Sequence, residues 1–474
     1  MKDMTVAFPQ SGAVRLLTAG LVLTVTLAAV SSLAVETILP IVSDELGGVG
    51  LYGWVFSAYF LGSLAAVIVA GGVADRRGTL LPYGTGLALF AVGLVIGGAA
   101  PTMAAVVAGR LVQGLGSGAI IAATYASIAR GFNEAERPRM FAILSTAWVI
   151  PAIVGPAAAA FVATAFTWRL VFLGLLPFTI LAAALAIPAL RRLGAPAATT
   201  ERIRRRDAVQ VAVGSGLLLA GLSNSTLLLA IALIAVGGAV AIVALRRVSP
   251  AGTLTASTGL GAAVLVRGLL TFAFFGTEAF LPLMLREARG LTPTLAGIVL
   301  TTGAITWTGG SWTHARLAPR LTSRAIITTS FALVVAGALA VLAVLIAQDI
   351  PVEVAYAGWA VSGAGMGFGY AAISVLVLRL APAGQAGTAS AAMQVLDNLG
   401  TALGIGAGGA AVAVAVSRGM PVAVGIAAAI VIAICGGVLG LAVSRRLDGS
   451  RPSVIAAGEP EGPARAGPST QVTR

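Results

Sequence analysis

Apolar stretches long enough to cross a lipid bilayer recur along this chain from about residue 15 to about residue 444, each separated from the next by a short polar hinge. A hydrocarbon core of about 30 Å is crossed by about 20 apolar residues in a helix. Inside it every backbone N–H and C=O must be bonded within the segment or a closed barrel. Recurrent runs of this length restrict the chain to a bundle of membrane-crossing helices. The composition agrees, with 58% hydrophobic residues, 10% charged residues and a mean hydropathy of +0.99, far more apolar than an ordinary soluble domain. The first run is too long for a secretory signal, lacks a small-residue cleavage site and is followed by further spans.

The runs predict spans at 15–41, 52–73, 80–100, 103–128, 139–163, 170–190, 208–223, 225–245, 258–284, 293–312, 324–347, 354–379, 386–415 and 421–444. The expected fold class is therefore an all-α polytopic membrane protein of fourteen transmembrane helices. The hinge "RRLGAPAATTERIRRRD" (191–207) is the longest linker and a natural join between two halves. The tail after Arg446, rich in Gly, Pro, Ser and charge, has the composition of a disordered segment.

A net charge of +13 raises the question of nucleic acid, and the placement of the arginines answers it. Arg76 and Arg77, the arginines of 130–139, 191–206 and 316–324, Arg246, Arg247 and those of 445–451 fall in alternate hinges, whereas Asp44, Glu45, Glu287, Asp349 and Glu353 fall in the others. This is the positive-inside pattern. It predicts a multi-pass protein with both termini cytoplasmic, a lipid bilayer as its surroundings and no nucleic-acid partner. Lys2 as the only lysine suggests a GC-rich bacterial genome, and so a bacterial inner (cytoplasmic) membrane. A single cysteine, Cys435, excludes an intramolecular disulfide, and one histidine, His314, leaves no zinc or haem constellation.

Of the seventeen acidic residues only Glu36, Glu278 and Asp397 fall inside apolar runs. A charge at the bilayer centre costs at least about 2.5–3.5 kcal/mol, so such residues face a protein interior or a wet cavity. Burial disfavours an ionised carboxyl, which suits a carboxyl in such a place to exchanging protons. Two of the three are framed alike. "VETILPIV" (35–42) and "TEAFLPLM" (277–284) share Glu-x-x-Leu-Pro, at Glu36, Leu39, Pro40 and Glu278, Leu281, Pro282, on spans one and nine. The match reads as a remnant of an internal repeat, of the kind that builds transporters from two related bundles. Spans seven and eight then form a hairpin inserted between two six-helix bundles. The expected domains are 1–190, 191–250 (linker and hairpin), 251–445 and the tail 446–474.

With a rise of 1.5 Å per residue, Glu36 on span one and Arg110 on span four fall at a similar depth from one face, and Arg267 on span nine and Asp397 on span thirteen at a similar depth from the other. Each couple is placed to pair, and a static ion pair is the competing reading for both. Glu278 has no basic residue at its own depth.

Three short segments carry a family resemblance. "GGVADRRGTL" after span two fits G-x-x-x-D-R-x-G with Gly71, Asp75, Arg76 and Gly78. "GRLVQGLGSG" on span four sets Gly114, Gly116 and Gly118 beside Arg110 and Gln113, a spacing that permits close helix contact. "PAIVGPAAAA" on span five holds Pro151, Gly155 and Pro156, where a helix bends. In this order the segments resemble the major facilitator superfamily, and the span count and the acid on span one make the chain similar to its fourteen-helix drug:proton antiporters. The resemblance implies the major facilitator fold of two six-helix bundles, driven by a proton gradient with no other cofactor and working as a monomer. It also implies a gating role for Gly71, Asp75, Arg76 and Gly78, with Asp75 meeting a helix N-terminus near Thr388. Arg110 is then the fourth-helix arginine of proton transfer, and Pro151, Gly155 and Pro156 belong to the antiporter helix. The chain departs from the family pattern at Thr79, Pro151, Ala159, Ala160 and Asp397.

The implied function is proton-coupled efflux of amphipathic or cationic small molecules. Glu36, Glu278, Arg110, Asp397 and Arg267 are the expected proton-coupling residues, and Trp148, Trp54 and Tyr59 the expected cavity aromatics. Export of an endogenous metabolite, peptide or lipid is the alternative cargo. No nucleophile–base or metal cluster suggests an enzyme, and no G-x-x-x-x-G-K-[ST] loop suggests an ATP-driven pump.

Overall fold

The computed structural model describes residues 11–132, 140, 143–144, 147, 149–193, 205–224, 226–257, 259–318, 320–382 and 386–447. Among them the chain is helix, turn or bend, with no strand. Its first half holds α1 (Ser11–Leu46), α2 (Tyr52–Arg77), α3 (Leu80–Gly98), α4 (Met103–Gly131), α5 (Val149–Ala165), the short α6 (Arg169–Leu173) and α7 (Leu176–Leu193). Next come α8 (Arg205–Leu222) and α9 (Leu227–Val248). The second half holds α10 (Leu260–Glu278), α11 (Leu281–Arg289), α12 (Pro293–Leu317), α13 (Ser323–Ile346), α14 (Glu353–Leu380), α15 (Ala386–Ser417) and α16 (Val422–Ser444).

Eleven segments among the described residues are long and apolar enough to cross a membrane, with α6–α7 and α10–α11 each counting as one. This is fewer than the fourteen expected. The apolar parts of α5 and α8 are short, at Val154–Ala165 and Val209–Leu222. Helix α12 spans 25 residues, but its threonines, His314 and Arg316 dilute its apolarity.

Local chemistry sets several boundaries. Thr102, Thr292 and Thr322 cap α4, α12 and α13, each hydroxyl accepting from a backbone N–H three residues on, at 3.2–3.4 Å. Gly78 ends α2 at φ 84°, in the region where a Cβ would strain the backbone. The two framed prolines behave differently. Pro40 lies inside α1, which runs unbroken to Leu46, whereas Pro282 sits in the first turn of α11, after a break at Ala279 and Phe280.

The packing of the first half recurs in the second. Helix α4 lies between α2 and α3, and α1 lies against α5 and α7; correspondingly α14 lies between α12 and α13, and α10 lies against α15 and α16. The two sets meet through α2 with α15 and α5 with α12, a reciprocal exchange that a pseudo-two-fold relation requires. The hairpin α8–α9 docks through α8 onto α2 and α15, where Leu219 packs with Leu61 and Ala402.

Helix ends gather at two faces. At one, Glu45 accepts from the Trp168 indole (2.8 Å) and Arg169 (2.6 Å), tying α1 to α6. The Arg289 guanidinium there donates to the carbonyls of Val344, Ala347, Gln348 and Ile350, holding α11 to the end of α13. At the opposite face Arg247 pairs with Asp207 at 3.3 Å and Arg446 donates to the carbonyls of Thr255 and Ala256. The first is called the Asp44 face below and the second the Arg76 face.

Candidate functional site

Among the described residues, Glu36, Arg110, Arg267, Glu278 and Asp397 lie buried within the helical interior. Arg110 is completely enclosed. Its Nε donates to the Val55 carbonyl (3.3 Å) and its Nη1 to Gln113 Oε1 (2.7 Å) and Ser31 Oγ (3.4 Å), while Gln113 Nε2 donates to the same Ser31 hydroxyl at 2.8 Å. Its guanidinium lies over the Tyr59 ring, 4.1 Å from the centroid, and the Tyr59 hydroxyl donates to Ser117 at 2.8 Å. One guanidinium nitrogen, Nη2, has no hydrogen-bond partner.

The expected Glu36–Arg110 ion pair is not formed, although each charge lies in the other's electrostatic range. The reason is rotational. Depth along the membrane places two residues at one level, but the face of the helix decides contact, and Arg110 is turned toward α2 and Ser31. Glu36 Oε2 is consequently buried with no hydrogen-bond partner, as is the hydroxyl of Tyr52, which is electrostatically coupled to Glu36. Glu278 is also buried and within electrostatic reach of Glu36. The two framed glutamates thus face a common region from opposite bundles.

The Arg267–Asp397 pair is formed. Arg267 Nε donates to Asp397 Oδ1 at 2.7 Å, and its Nη1 donates to the Tyr370 carbonyl at 2.8 Å and to Ser374 Oγ at 3.3 Å. The Tyr370 hydroxyl (3.1 Å) and Gln394 Nε2 (3.3 Å) donate to Asp397 Oδ2. Both charges are fully compensated, so the site divides into a closed ion-pair cluster within the second bundle and two unpartnered carboxyls at the seam.

The close approach expected of the fourth-span glycines is present. A Cβ on Gly114 would overlap the Tyr59 carbonyl of α2, and one on Gly118 the Ser63 carbonyl, so these glycines set the distance at which Arg110 reaches the Tyr59 ring. In the loop motif, Gly78 holds its positive φ and Arg76 is exposed, Gly71 has open space about it, and the side chain of Asp75 lies outside the described residues. The same is true of the side chain of Thr388 and of Trp148. Pro151, Gly155, Thr26, Val30, Leu170 and Phe178 line an apolar cleft of about 380 Å³ between α1, α5, α6 and α7, on the flank of the first bundle, with Pro156 buried inside α5. Of the other two aromatics proposed for the cavity, Tyr59 is buried beneath Arg110, and Trp54 packs on the Leu61–Leu219–Ala402 cluster at the inserted hairpin.

Sequence reading passed over the partners that make these placements possible. Ser31, Tyr370 and Ser374 are ordinary residues in apolar runs and carry no spacing signal. The Asp44–Arg286 ion pair, which joins the end of α1 to α11 across the two bundles, joins residues that only the fold brings together.

Helical spans arranged in two like-packed sets, with buried charges where the sets meet, define the class of polytopic membrane transport proteins. The model of the Major Facilitator Superfamily matches residues 21–405, and the chain belongs to that superfamily. It is similar to the multidrug efflux pump SdrM of Staphylococcus aureus, with 24% identity over 67% of this chain and 73% of the relative. It is also similar to the methylenomycin A resistance protein of Streptomyces coelicolor, with 29% identity over 66% and 68%. Among solved structures, a peptide transporter POT superposes with a TM-score of 0.66 at 15% identity, over 91% of this chain and 96% of that one, which speaks for the fold alone.

Proposed function

We propose that this chain is a proton-coupled exporter of amphipathic or cationic small molecules, working by alternating access in a bacterial inner membrane with the Arg76 face toward the cytoplasm. In this reading α5, α8 and α12 also cross the bilayer, giving fourteen crossings. Residues 1–190 and 251–445 are the rocking bundles, and 191–250 carries the inserted hairpin. Similarity to SdrM and to the methylenomycin A resistance protein supports efflux.

The observation that carries the coupling is the pair of seam carboxyls. Glu36 is buried with an unpartnered oxygen while the nearest arginine is occupied by Ser31, Gln113 and Val55. A carboxyl in a low-dielectric seam with no donor must be neutralised, by a proton or by a cation. Proton and cationic cargo then compete for one place, which makes their movements opposite.

The contacts at the Asp44 face describe a conformer closed there. Asp44 pairs with Arg286, the Tyr52 and Phe280 rings meet at 5.8 Å, and Ser57 Oγ donates to the Ala402 carbonyl at 3.0 Å. Outward release requires these to part. The test is reconstitution into liposomes with an imposed pH gradient. Gradient-driven ethidium movement that Glu36→Gln abolishes is the expected result, and a wild type that moves no dye under any gradient sinks the reading.

A further inference from the structure

Five aromatic rings run in unbroken contact across the seam between the bundles, and an arginine closes each end. From the first bundle, Arg110 lies over Tyr59, and Tyr59 meets Phe60 edge-on at 5.4 Å. Phe60 of α2 then meets Phe275 of α10 at 6.4 Å, Phe275 meets Trp307 of α12 at 6.2 Å, and Trp307 meets Tyr370 of α14 at 5.3 Å. Arg267 lies over Tyr370, 2.9 Å from its centroid.

The rings differ in what they leave open. Tyr59 is buried and its face is taken by Arg110, and the face of Tyr370 is taken by Arg267. Phe60, Phe275 and Trp307 are only half-buried. Behind them stand Phe274 and Trp359, both fully buried and stacked at 4.6 Å with an interplanar angle of 27°. Phe274 meets Phe275 at 5.3 Å and Trp307 at 5.5 Å, nearly at right angles to each. The open rings are therefore backed by a rigid second layer, a cost in order that an ordinary greasy lining does not need.

Charge decides which planar molecule fits. Arg267 is paired with Asp397 and Arg110 is held by Ser31, Gln113 and Val55 with its Nη2 unpartnered, both at the ends of the row, whereas Glu278 lies one helical turn beyond Phe275 on α10, buried and without a hydrogen-bond partner among the described residues. Aromatic faces themselves attract cations. We infer that Phe60, Phe275 and Trp307 form a stacking platform for a planar aromatic cation, oriented with its positive charge toward Glu278. This rests on the export reading and adds to it the shape of the cargo and the residues that select it.

The test measures binding of ethidium, planar and cationic, to the purified full-length protein by fluorescence, beside tetraphenylphosphonium, a cation of equal charge that is not planar. Phe275→Leu and Trp307→Leu keep apolar bulk without a ring face, and Trp307→Phe restores one; thermal unfolding confirms that each variant is folded. Loss of one stacking partner is expected to weaken ethidium by roughly five- to a hundredfold, to leave tetraphenylphosphonium within about twofold and to be largely reversed in Trp307→Phe. Unchanged ethidium affinity in the folded leucine variants, or an equal loss for both cations, overturns the platform while wild-type dye export stands. A wild type that neither binds nor moves ethidium overturns the export reading itself.

Discussion

Asp44 and Arg286 form an ion pair between residues 242 positions apart, the same offset that separates Glu36 from Glu278. Each member of the ion pair therefore stands eight residues past a framed glutamate, and the contact joins a position to its own counterpart in the other half. A two-fold relation makes such a contact self-matching. At that position the two halves carry opposite charges, so the counterparts attract. The neighbouring Glu45 is held by Trp168 and Arg169 within the first bundle, and Arg289, three residues past Arg286, is held by four carbonyls of the second. Each charge of the pair is thus carried on a segment anchored to its own bundle.

The pair is partly exposed, at 27% and 53% of side-chain surface, and pairs of that kind contribute about 0–1 kcal/mol. Arg286→Gln is accordingly expected to shift the population toward opening at the Asp44 face by about two- to fivefold, with the charge reversal Asp44→Arg, Arg286→Asp restoring closure. Distances between spectroscopic labels at Gly47 and Met420, in a protein with Cys435→Ser, read the shift. Equal distance distributions in wild type and Arg286→Gln contradict it.

The enclosed Arg110 network makes a stability prediction. Ser31→Ala removes the acceptor shared by Arg110 Nη1 and Gln113 Nε2, and stranding buried donors costs about 1–3 kcal/mol. A fall in the thermal midpoint is expected, larger than for Ser32→Ala on the neighbouring position. Equal midpoints for the two variants refute the account of how Arg110 is held away from Glu36.

For Arg267 and Asp397, removal of one partner leaves a buried charge, and Asp397→Asn or Arg267→Met is expected to cost about 3–5 kcal/mol. Replacing both with apolar residues removes the charge as well as the contact, so Arg267→Met with Asp397→Leu should fold better than either single variant. If the double variant folds and exports at wild-type rate, the pair is a structural stitch. If it folds and exports nothing, the pair takes part in coupling.

Gly114→Ala tests the helix spacing. A Cβ there meets the Tyr59 backbone, and overpacking of this kind costs about 1–3 kcal/mol. Gly71→Ala, where nothing stands within 4 Å, should leave the thermal midpoint near wild type. The reverse order of the two variants contradicts the packing described here.

Much of this architecture is legible in the linear chain, because apolar length, glycine spacing and prolines act locally. The approach of α4 to α2 follows from Gly114 and Gly118, and the depth estimate found the Arg267–Asp397 pair. The same estimate failed for Glu36 and Arg110, since a level is one coordinate and the helix face is another. The aromatic row was illegible for a related reason: Phe60, Phe275, Trp307 and Tyr370 come from four helices and share no period. Pro40 and Pro282, identical in frame, part ways because α1 runs on to Leu46 while α10 stops at Glu278 and restarts as α11.

The central claim is that the seam carboxyls trade a proton for cargo. The most direct measurement is the number of protons released when ethidium is added to purified, weakly buffered protein, in wild type, Glu36→Gln and Glu278→Gln. The account predicts release from the wild type that one or both substitutions abolish while the protein stays folded. Ethidium binding with no proton release from the wild type, or with undiminished release from both variants, would contradict it.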